Sequence, residues 1–352
     1  MAFFSTNNTR IAGIAAAVPK NEISNWDYEH LTDQEKKMLI KTIGVEKKRF
    51  APKHITTSDL GYAASEKLIA DLNWNKEDIQ VLIFVSQSKD YFLPSTACIL
   101  QDRLGLPHST VAFDVGMGCS GYVYGLSIIN SLMSASGLKK GLMIVGDNSL
   151  VTCNYRDKSS YPLFGDAATV TAIEYDADSS PFHYDLLTDG SRHKAIIIPH
   201  GGMRNQATKE SFDEVEVSPG IFRSPLNTKL EGLDIFNFSI SEVPLSINEF
   251  MNRTSTTPEN YDAFVMHQAN LIMNESIRKK LKFTTEQVPY TLSKFGNTSS
   301  ASIPLTIVSE LQDKITTEPM NFIISGFGVG LSWGVSSFRT NKIACPNIIE
   351  LE

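Results

Sequence analysis

The segment Phe113-Asp114-Val115-Gly116-Met117-Gly118-Cys119-Ser120-Gly121 sets a cysteine among three glycines. Ahead of it, Ser109-Thr110-Val111-Ala112 is a short β-branched lead-in that reads as a buried strand. Behind it, Tyr122 to Met133 is apolar nearly all round, the pattern of a helix buried on most faces. The glycines let the backbone turn sharply and a substrate come close. Cys119 is therefore expected at a strand-to-helix turn, at the N-terminus of a buried helix. There the helix dipole favours a thiolate, the nucleophilic form of cysteine. A lone cysteine in an apolar stretch is more often a small inert core residue, so the rest of the chain has to decide.

The 352 residues exceed the size at which a single core stops growing, so two packed halves are expected. With 42% hydrophobic and 20% charged residues, the composition is that of a soluble globular protein. No apolar run is long enough to span a bilayer, and Met1 to Arg10 lacks a signal-peptide core. Cys98, Cys119, Cys153 and Cys345 show no paired spacing. That suits a reducing cytoplasm and excludes the usual zinc patterns, so no metal site is expected. A net charge of −7 argues against nucleic acid as a partner.

Helices and strands alternate along the chain, which defines an α/β class. Arg10 to Val18 reads as a strand, Leu31 to Thr42 as a charged helix, and Lys47-Lys48-Arg49 as a solvated face. Ser58-Asp59-Leu60 is expected to cap a helix running to Asn73. Ile79 to Val85, Gly141 to Gly146 and Ala167 to Tyr175 read as strands, Pro94 to Arg103 as a helix. His200 to Ser224 is weakly patterned and reads as an insertion or long loop, followed by a helix from about Asn227 to Met251.

The second half repeats the first, weakly but in order. Asp78 to Ser86 and Asn260 to His267 are matching strands, each after a helix. Cys119 starts a helix leading to Leu142-Met143-Ile144-Val145-Gly146; Asn297-Thr298-Ser299-Ser300 starts one leading to Phe322-Ile323-Ile324-Ser325-Gly326. Two similar domains, 1–176 and 177–352, should face each other across a pseudo-twofold axis. Cys119, His267 and Asn297 then all fall at strand–helix boundaries, where ligands gather in α/β folds. Taken singly, His267 reads as a core histidine and Asn297 as a turn or cap residue. Ser325 to Gly330 is a glycine-rich turn whose N–H groups suit an oxyanion. It lacks the Lys-Ser/Thr of a phosphate loop.

Together these segments resemble the β-ketoacyl-acyl-carrier-protein synthase III group of the thiolase superfamily. The resemblance is carried by Asp114 to Gly121, Phe164-Gly165-Asp166-Ala167-Ala168, His267-Gln268-Ala269-Asn270, Gly296 to Ser300 and Gly326 to Gly330. It implies the five-layered αβαβα thiolase fold with two duplicated halves, normally a homodimer. It implies an acyltransferase catalysing decarboxylative Claisen condensation of an acyl thioester, on coenzyme A or acyl carrier protein, with malonyl-acyl carrier protein. Cys119 would carry the acyl group, with its own N–H and that of Val329 as oxyanion donors. His267 and Asn297 would stabilise the enolate left by loss of CO2. No metal or redox cofactor is implied, only coenzyme A or phosphopantetheine thioesters as substrates. The pathway is fatty acid synthesis or a specialised acyl or polyketide route.

Several positions depart from the family's pattern. An adenine-clamping tryptophan and arginine correspond to Met38 and Thr42, and a further arginine that contacts coenzyme A corresponds to Lys158, still able to meet a phosphate as a point charge. Delivery of the acyl group by a carrier protein is therefore a serious alternative to coenzyme A. A carrier-docking arginine corresponds to Ile272, while Lys279 and Lys280, extended by Arg278 and Lys282, keep a basic patch for an acidic carrier. The aromatic that crosses the dimer to shape the acyl pocket corresponds to Leu93, next to Phe92, which admits a bulkier acyl group. Val329 replaces a glycine in the last turn. Phe327 reads first as a core aromatic and second as a border of the substrate site. The competing functions are a non-decarboxylating thiolase-fold condensing enzyme or other acyltransferase, and a catalytically silent assembly partner. A degradative thiolase would want a second cysteine near the last turn, where only the distant Cys345 is on offer. A hydroxymethylglutaryl-type synthase would want a glutamate base, for which Asp59 to Lys89 supplies only Glu66 and Glu77.

Overall fold

Thr9–Pro19 is a strand buried at all but one of its 11 positions, so it must be covered on both faces. A bulge between Ile11 and Gly13 resets its alternation. Ile11, Ile14, Ala16 and Val18 then face one apolar cluster, and Ala12, Ala15 and Ala17 face another. The structure, a computed structural model, describes residues 2–352. Thr9–Pro19 lies in a six-stranded sheet with the order Ile349–Leu351, Thr9–Pro19, Ala167–Tyr175, Lys140–Asp147, Val81–Val85, Val111–Val115. A five-stranded sheet has the order Ala2–Thr6, Phe182–Thr188, Ser332–Thr340, Met320–Gly328, Ala263–Met266.

The helices are α1 (Asp33–Ile43), α2 (Thr57–Asp71), α3 (Thr96–Arg103), α4 (Gly121–Ser136), α5 (Gly232–Thr254), α6 (Leu271–Leu281), α7 (Leu292–Phe295), α8 (Ser302–Glu310) and α9 (Gln312–Thr317). α4 carries no charged residue and buries nine positions, among them Tyr122, Val123, Leu126 and Ile129. A helix apolar on all sides belongs inside. α4 and α8 lie between the two sheets and share one cluster with both. α2 and α3 pack on the outer face of the six-stranded sheet, α5 and α6 on that of the five-stranded sheet. The result is the αβαβα thiolase fold. Sheet membership departs from chain order at the two ends. Ala2–Thr6 pairs with Phe182–Thr188, and Ile349–Leu351 pairs with Thr9–Pro19.

Local expectations change at several points. Val111–Val115 is the edge of its sheet, with Val111 44% exposed, and is not the buried strand that its β-branched lead-in suggests. α2 is capped by Thr56 through a box with Asp59, and Ser58 lies buried within its first turn. Lys47–Arg49 is a short strand paired with Glu22–Ser24. Lys48 within it is fully buried, its ammonium bonded to the Tyr161 carbonyl and 3.9 Å over the Tyr161 ring. Burial lowers its pKa to about 7. The Tyr161 carbonyl and ring give the buried ammonium its partners, which defeats the rule that charge runs are solvated. The 200–224 stretch holds a small hairpin, Val215–Ser218 with Ile221–Arg223.

Candidate active site

Val111–Val115 ends four residues before Cys119, and α4 begins two residues after it. Gly116, Gly118 and Gly121 are absent from the positive-φ glycines, so none serves a left-handed turn; Gly118 and Gly121 serve close packing, while a Cβ on Gly116 would meet open space. A Cβ on Gly118 would meet Gln87 Oε1 at 2.4 Å and Val329 Cγ1 at 2.7 Å. One on Gly121 would meet Val85 Cγ1 at 2.9 Å. Gly328, at the end of Met320–Gly328, lies against the cysteine, where a side chain would come within 2.9 Å of Sγ.

Cys119 is partly exposed and lines a cavity of about 640 Å³ together with His267, Asn297, Ser299, Val329 and Asp147. Burial pushes its thiol up to about 11. The Ser299 hydroxyl, with Sγ–Oγ at 3.9 Å, and the N–H groups of Val329 and Cys119 oppose the rise, while the nearby Asp147 charge adds to it. The helix terminus does not by itself give a resting thiolate. A dipole contributes about 0.3–1 kcal/mol, and the desolvation of a buried thiolate outweighs it.

His267 follows Ala263–Met266, and its N–H donates to Ser325 O at 2.8 Å. Its ring is buried, with Nδ1 2.8 Å from Ser302 Oγ. Ser302 Oγ accepts the Gln268 N–H at 3.3 Å, so its own proton is free for Nδ1. With the Ser302 hydroxyl donating to Nδ1, the imidazole proton sits on Nε2, facing the cavity. Burial lowers the imidazole pKa to about 3, leaving it neutral. The Phe327 ring packs edge-on against it, with centroids 5.5 Å apart.

Asn297 does not sit at a strand–helix boundary as expected. It lies in the loop after α7, beyond Gly296 with its left-handed φ of 67°. Phe164-Gly165 hold it there by a bridge. Asn297 N–H donates to Leu163 O at 2.9 Å, and Gly165 N–H donates to Asn297 O at 3.0 Å. A Cβ at Gly165 would sit 2.1 Å from Phe295 O, so only glycine fits. This gives the Phe164-Gly165 motif a physical use: it fixes the asparagine. The Asn297 amide is oriented by the Ser299 N–H on Oδ1 at 2.9 Å and by Ala269 O, 3.3 Å from Nδ2. Nδ2 lies 3.4 Å from His267 Nε2. In the Nε2–H tautomer two donors converge on one part of the cavity.

Lys158 and Phe327 also line the cavity. Leu93 does not. It is 86% exposed and follows the exposed Tyr91 and Phe92. Lys279 and Lys280 lie on α6, outside the cavity lining. Lys280 Nζ donates to Ile240 O at 3.0 Å and Lys279 Nζ lies 3.7 Å from Glu275. Arg278 is paired to Glu275 through both carboxylate oxygens. Met38, Thr42 and Ile272 meet in a second groove with Lys37 and Lys41, between α1 and α6. Among the described residues, Cys119 is the one cysteine and Asp147 the one carboxylate lining the main cavity. Glu66 is paired to Lys76 at 2.6 Å, and Glu77 lies on a short surface turn. The roles of Ser302 and Asp147 had no sequence signal. Ser302 lies inside the asparagine segment, where a serine after a turn looks like helix-start chemistry.

The fold has close solved counterparts. A 3-oxoacyl-(acyl-carrier protein) synthase from Burkholderia xenovorans LB400 superposes with a TM-score of 0.93 at 35% identity, covering 99% of both chains. The class is therefore a thiolase-fold acyltransferase. The family profiles described as 3-oxoacyl-[acyl-carrier-protein] synthase III and its C-terminal part match residues 113–190 and 251–340. A putative 3-oxoacyl-[acyl-carrier-protein] synthase 3 of Campylobacter jejuni is 33% identical, over 97% of both chains. A β-ketoacyl-[acyl-carrier-protein] synthase III of Campylobacter fetus is 31% identical, over 94% of this chain and 97% of its own. The chain belongs to the β-ketoacyl-acyl-carrier-protein synthase III family of condensing enzymes.

Proposed function

We propose that the protein condenses an acyl thioester with malonyl-acyl carrier protein through an acyl-Cys119 intermediate, in fatty acid synthesis or a specialised acyl pathway. The observation that carries this reading is the convergence of His267 Nε2–H and Asn297 Nδ2–H, 3.4 Å apart, on the cavity that holds Cys119. Cys119 attacks the acyl carbonyl, whose oxygen is received by the N–H groups of Val329 and Cys119. The departing thiol leaves and a malonyl thioester enters. Loss of CO2 puts negative charge on the thioester oxygen, which the two neutral donors stabilise. The enolate carbon attacks the acyl-enzyme, giving the β-ketoacyl thioester and the Cys119 thiolate, which regains a proton. Decarboxylation itself supplies the carbon nucleophile, so these steps call for no metal or redox group.

We assign the acyl donor to a carrier protein. Met38 and Thr42 offer neither an aromatic face nor a guanidinium, yet they line a groove with Lys37 and Lys41, cations suited to an acidic partner. With the same acyl chain on both carriers, acyl-carrier protein should acylate Cys119 faster than acyl-coenzyme A. The product after malonyl-carrier addition should be the β-ketoacyl-carrier protein. Preference for coenzyme A would reject the carrier assignment, and absence of product would reject the function.

The same reading includes a homodimer working in the cytoplasm. Val111–Val115 is an open sheet edge, a template for pairing with a second chain. Asp114 of that strand holds the first N–H groups of α3, next to the exposed Tyr91, Phe92 and Leu93. Light scattering should give twice the chain mass of 38.9 kDa, and Leu93→Asp should shift it toward that value. A wild-type monomer would refute the dimer.

A further inference from the structure

Val329 stands between Gly328 and Gly330, the latter with a φ of 140°. A turn flanked by glycines has wide conformational freedom, yet the Val329 N–H has to hold its place beside the nucleophile. Gly328 lies against the cysteine, and a Cβ on Gly326 would meet Ser120 Cα at 3.0 Å and Cys119 O at 3.1 Å. The strand Met320–Gly328 therefore delivers the turn onto the start of α4. Two hydroxyls fasten it there. Ser332 Oγ donates to Val329 O at 2.7 Å and lies 2.7 Å from Ser120 Oγ. A hydroxyl has one proton, which Ser332 gives to the carbonyl, so Ser120 is the donor to Ser332. Both side chains are buried. Ser120 occupies the N-cap position of α4, where serine usually accepts a helix N–H, but its side chain makes no cap bond. Its hydroxyl is directed instead to the strand Ser332–Thr340. Among the described residues, no backbone carbonyl takes the Val329 N–H, and Val329 lines the cavity.

We propose that Ser120 and Ser332 clamp the Val329 turn and so set the oxyanion donor for acylation of Cys119. This rests on the reading of Cys119 as the acylated residue and of the Val329 N–H as a donor to its oxyanion. The linkage runs through the valine. Its carbonyl belongs to the peptide after it and its N–H to the peptide before it. Valine allows far fewer φ/ψ pairs than glycine, so holding one peptide plane also directs the other. The valine that replaces a glycine in this turn thereby serves the clamp. Its side chain is itself packed beside the nucleophile, since a Cβ on Gly118 would meet Val329 Cγ1 at 2.7 Å. Charge that builds on the acyl oxygen then meets a donor already in place, and no reorganisation is needed at the moment of reaction. The two serines exchange no proton with substrate. They act through Val329 and are positioning residues.

Two reactions of the same sulfur give the test. Acylation builds charge on a carbonyl oxygen. Iodoacetamide alkylates the thiolate by displacing iodide at a saturated carbon and builds no such charge. Wild type, Ser120→Ala, Ser332→Ala and the double variant are given straight-chain acyl thioesters from acetyl to decanoyl, on carrier protein and on coenzyme A. The fastest donor of the wild type is carried forward. Acylation is followed by rapid-quench intact mass, and alkylation is read on the Cys119 peptide. Ser332→Ala should lower the maximal acylation rate about 10- to 100-fold, up to the cost of an ångström-scale misplacement. The donor concentration at half that rate should not change, because the N–H is engaged in the transition state. Alkylation should keep its wild-type rate. Ser120→Ala, which leaves the bond from Ser332 to Val329, should slow acylation by less. The double variant should be no slower than Ser332→Ala, since Ser120 acts only through Ser332. Equal slowing of both reactions would show a general disturbance of Cys119, and a loss confined to half-saturation would show a substrate contact. Either result overturns the clamp, as does wild-type acylation in Ser332→Ala. If Ser332→Ala does not fold, Ser120→Ala decides by the same comparison: slower acylation with normal alkylation supports the clamp, and normal acylation rejects it. A wild type that forms no acyl-Cys119 adduct with any of these donors removes the underlying reading instead.

Discussion

Cys119→Ser forms no acyl adduct, and its condensation rate falls by on the order of 10⁴-fold or more, the scale of losing a covalent nucleophile. The serine hydroxyl is a far poorer nucleophile at neutral pH, and its Oγ would have only the same weak assistance. Peptide mapping of wild type acylated to one equivalent should place the group on Cys119. The other cysteines are poor candidates. Burial pushes Cys153 and Cys345 up to about 12, and neither lines the cavity. Cys98 is exposed on α3 and away from any oxyanion donor of the cavity. An adduct that persists in Cys119→Ser and maps to Cys98 would move the chemistry to the surface and end the assignment.

Asn297→Ala and His267→Ala separate the two half-reactions. Each deletes one of the two converging donors, and losing such a donor costs about 100- to 1,000-fold. Enzyme loaded with acyl groups first and given malonyl-carrier protein second should release CO2 slower by that factor. Acylation of Cys119 should change little, because its oxyanion donors are the backbone N–H groups of Val329 and Cys119. Wild-type CO2 release should also show no step near the usual imidazole pKa of 6.5, since His267 is held neutral down to about 3. The sign for folding follows. Between about 3 and 6.5 the unfolded chain binds a proton that the native imidazole does not. Stability is therefore lost as pH falls through that window. Equal loss of acylation and decarboxylation in Asn297→Ala would show that its amide holds the loop rather than the enolate. Full activity would return the decision to the non-decarboxylating condensing enzymes.

The class of fold was legible because its signals are local. The α4 stretch is apolar nearly all round, and the parallel strands Val81–Val85 and Lys140–Asp147 carry the continuous apolar runs 81–85 and 142–145. The Cys, His and Asn residues stood out through neighbours that repeat in order between the halves. What stayed hidden depends on distant partners. Lys48 looks like surface charge until Tyr161 is folded over it. Ala2–Thr6 looks like a polar lead because its pairing partner lies 180 residues away, at Leu186 to Phe182. Asp147 ends an apolar strand and resembles a strand-terminating turn residue. Only three dimensions bring Ser86, Ser88 and Ser300 to it.

The bridge between Phe164 and Asn297 sorts the cavity wall into parts of different freedom. The amide that faces the substrate is registered against chain from the half that carries the cysteine, so the spacing between nucleophile and donors is set at that seam. Leu39 and Ile43 on α1, and Ile196 to Ile198, complete the wall from outside it. Changes among those aliphatic side chains can reshape the space for an acyl group while the reacting distances stay put. Chain-length preference and chemistry are thereby assigned to separate pieces of the polypeptide, and the first can drift across relatives without putting the second at risk.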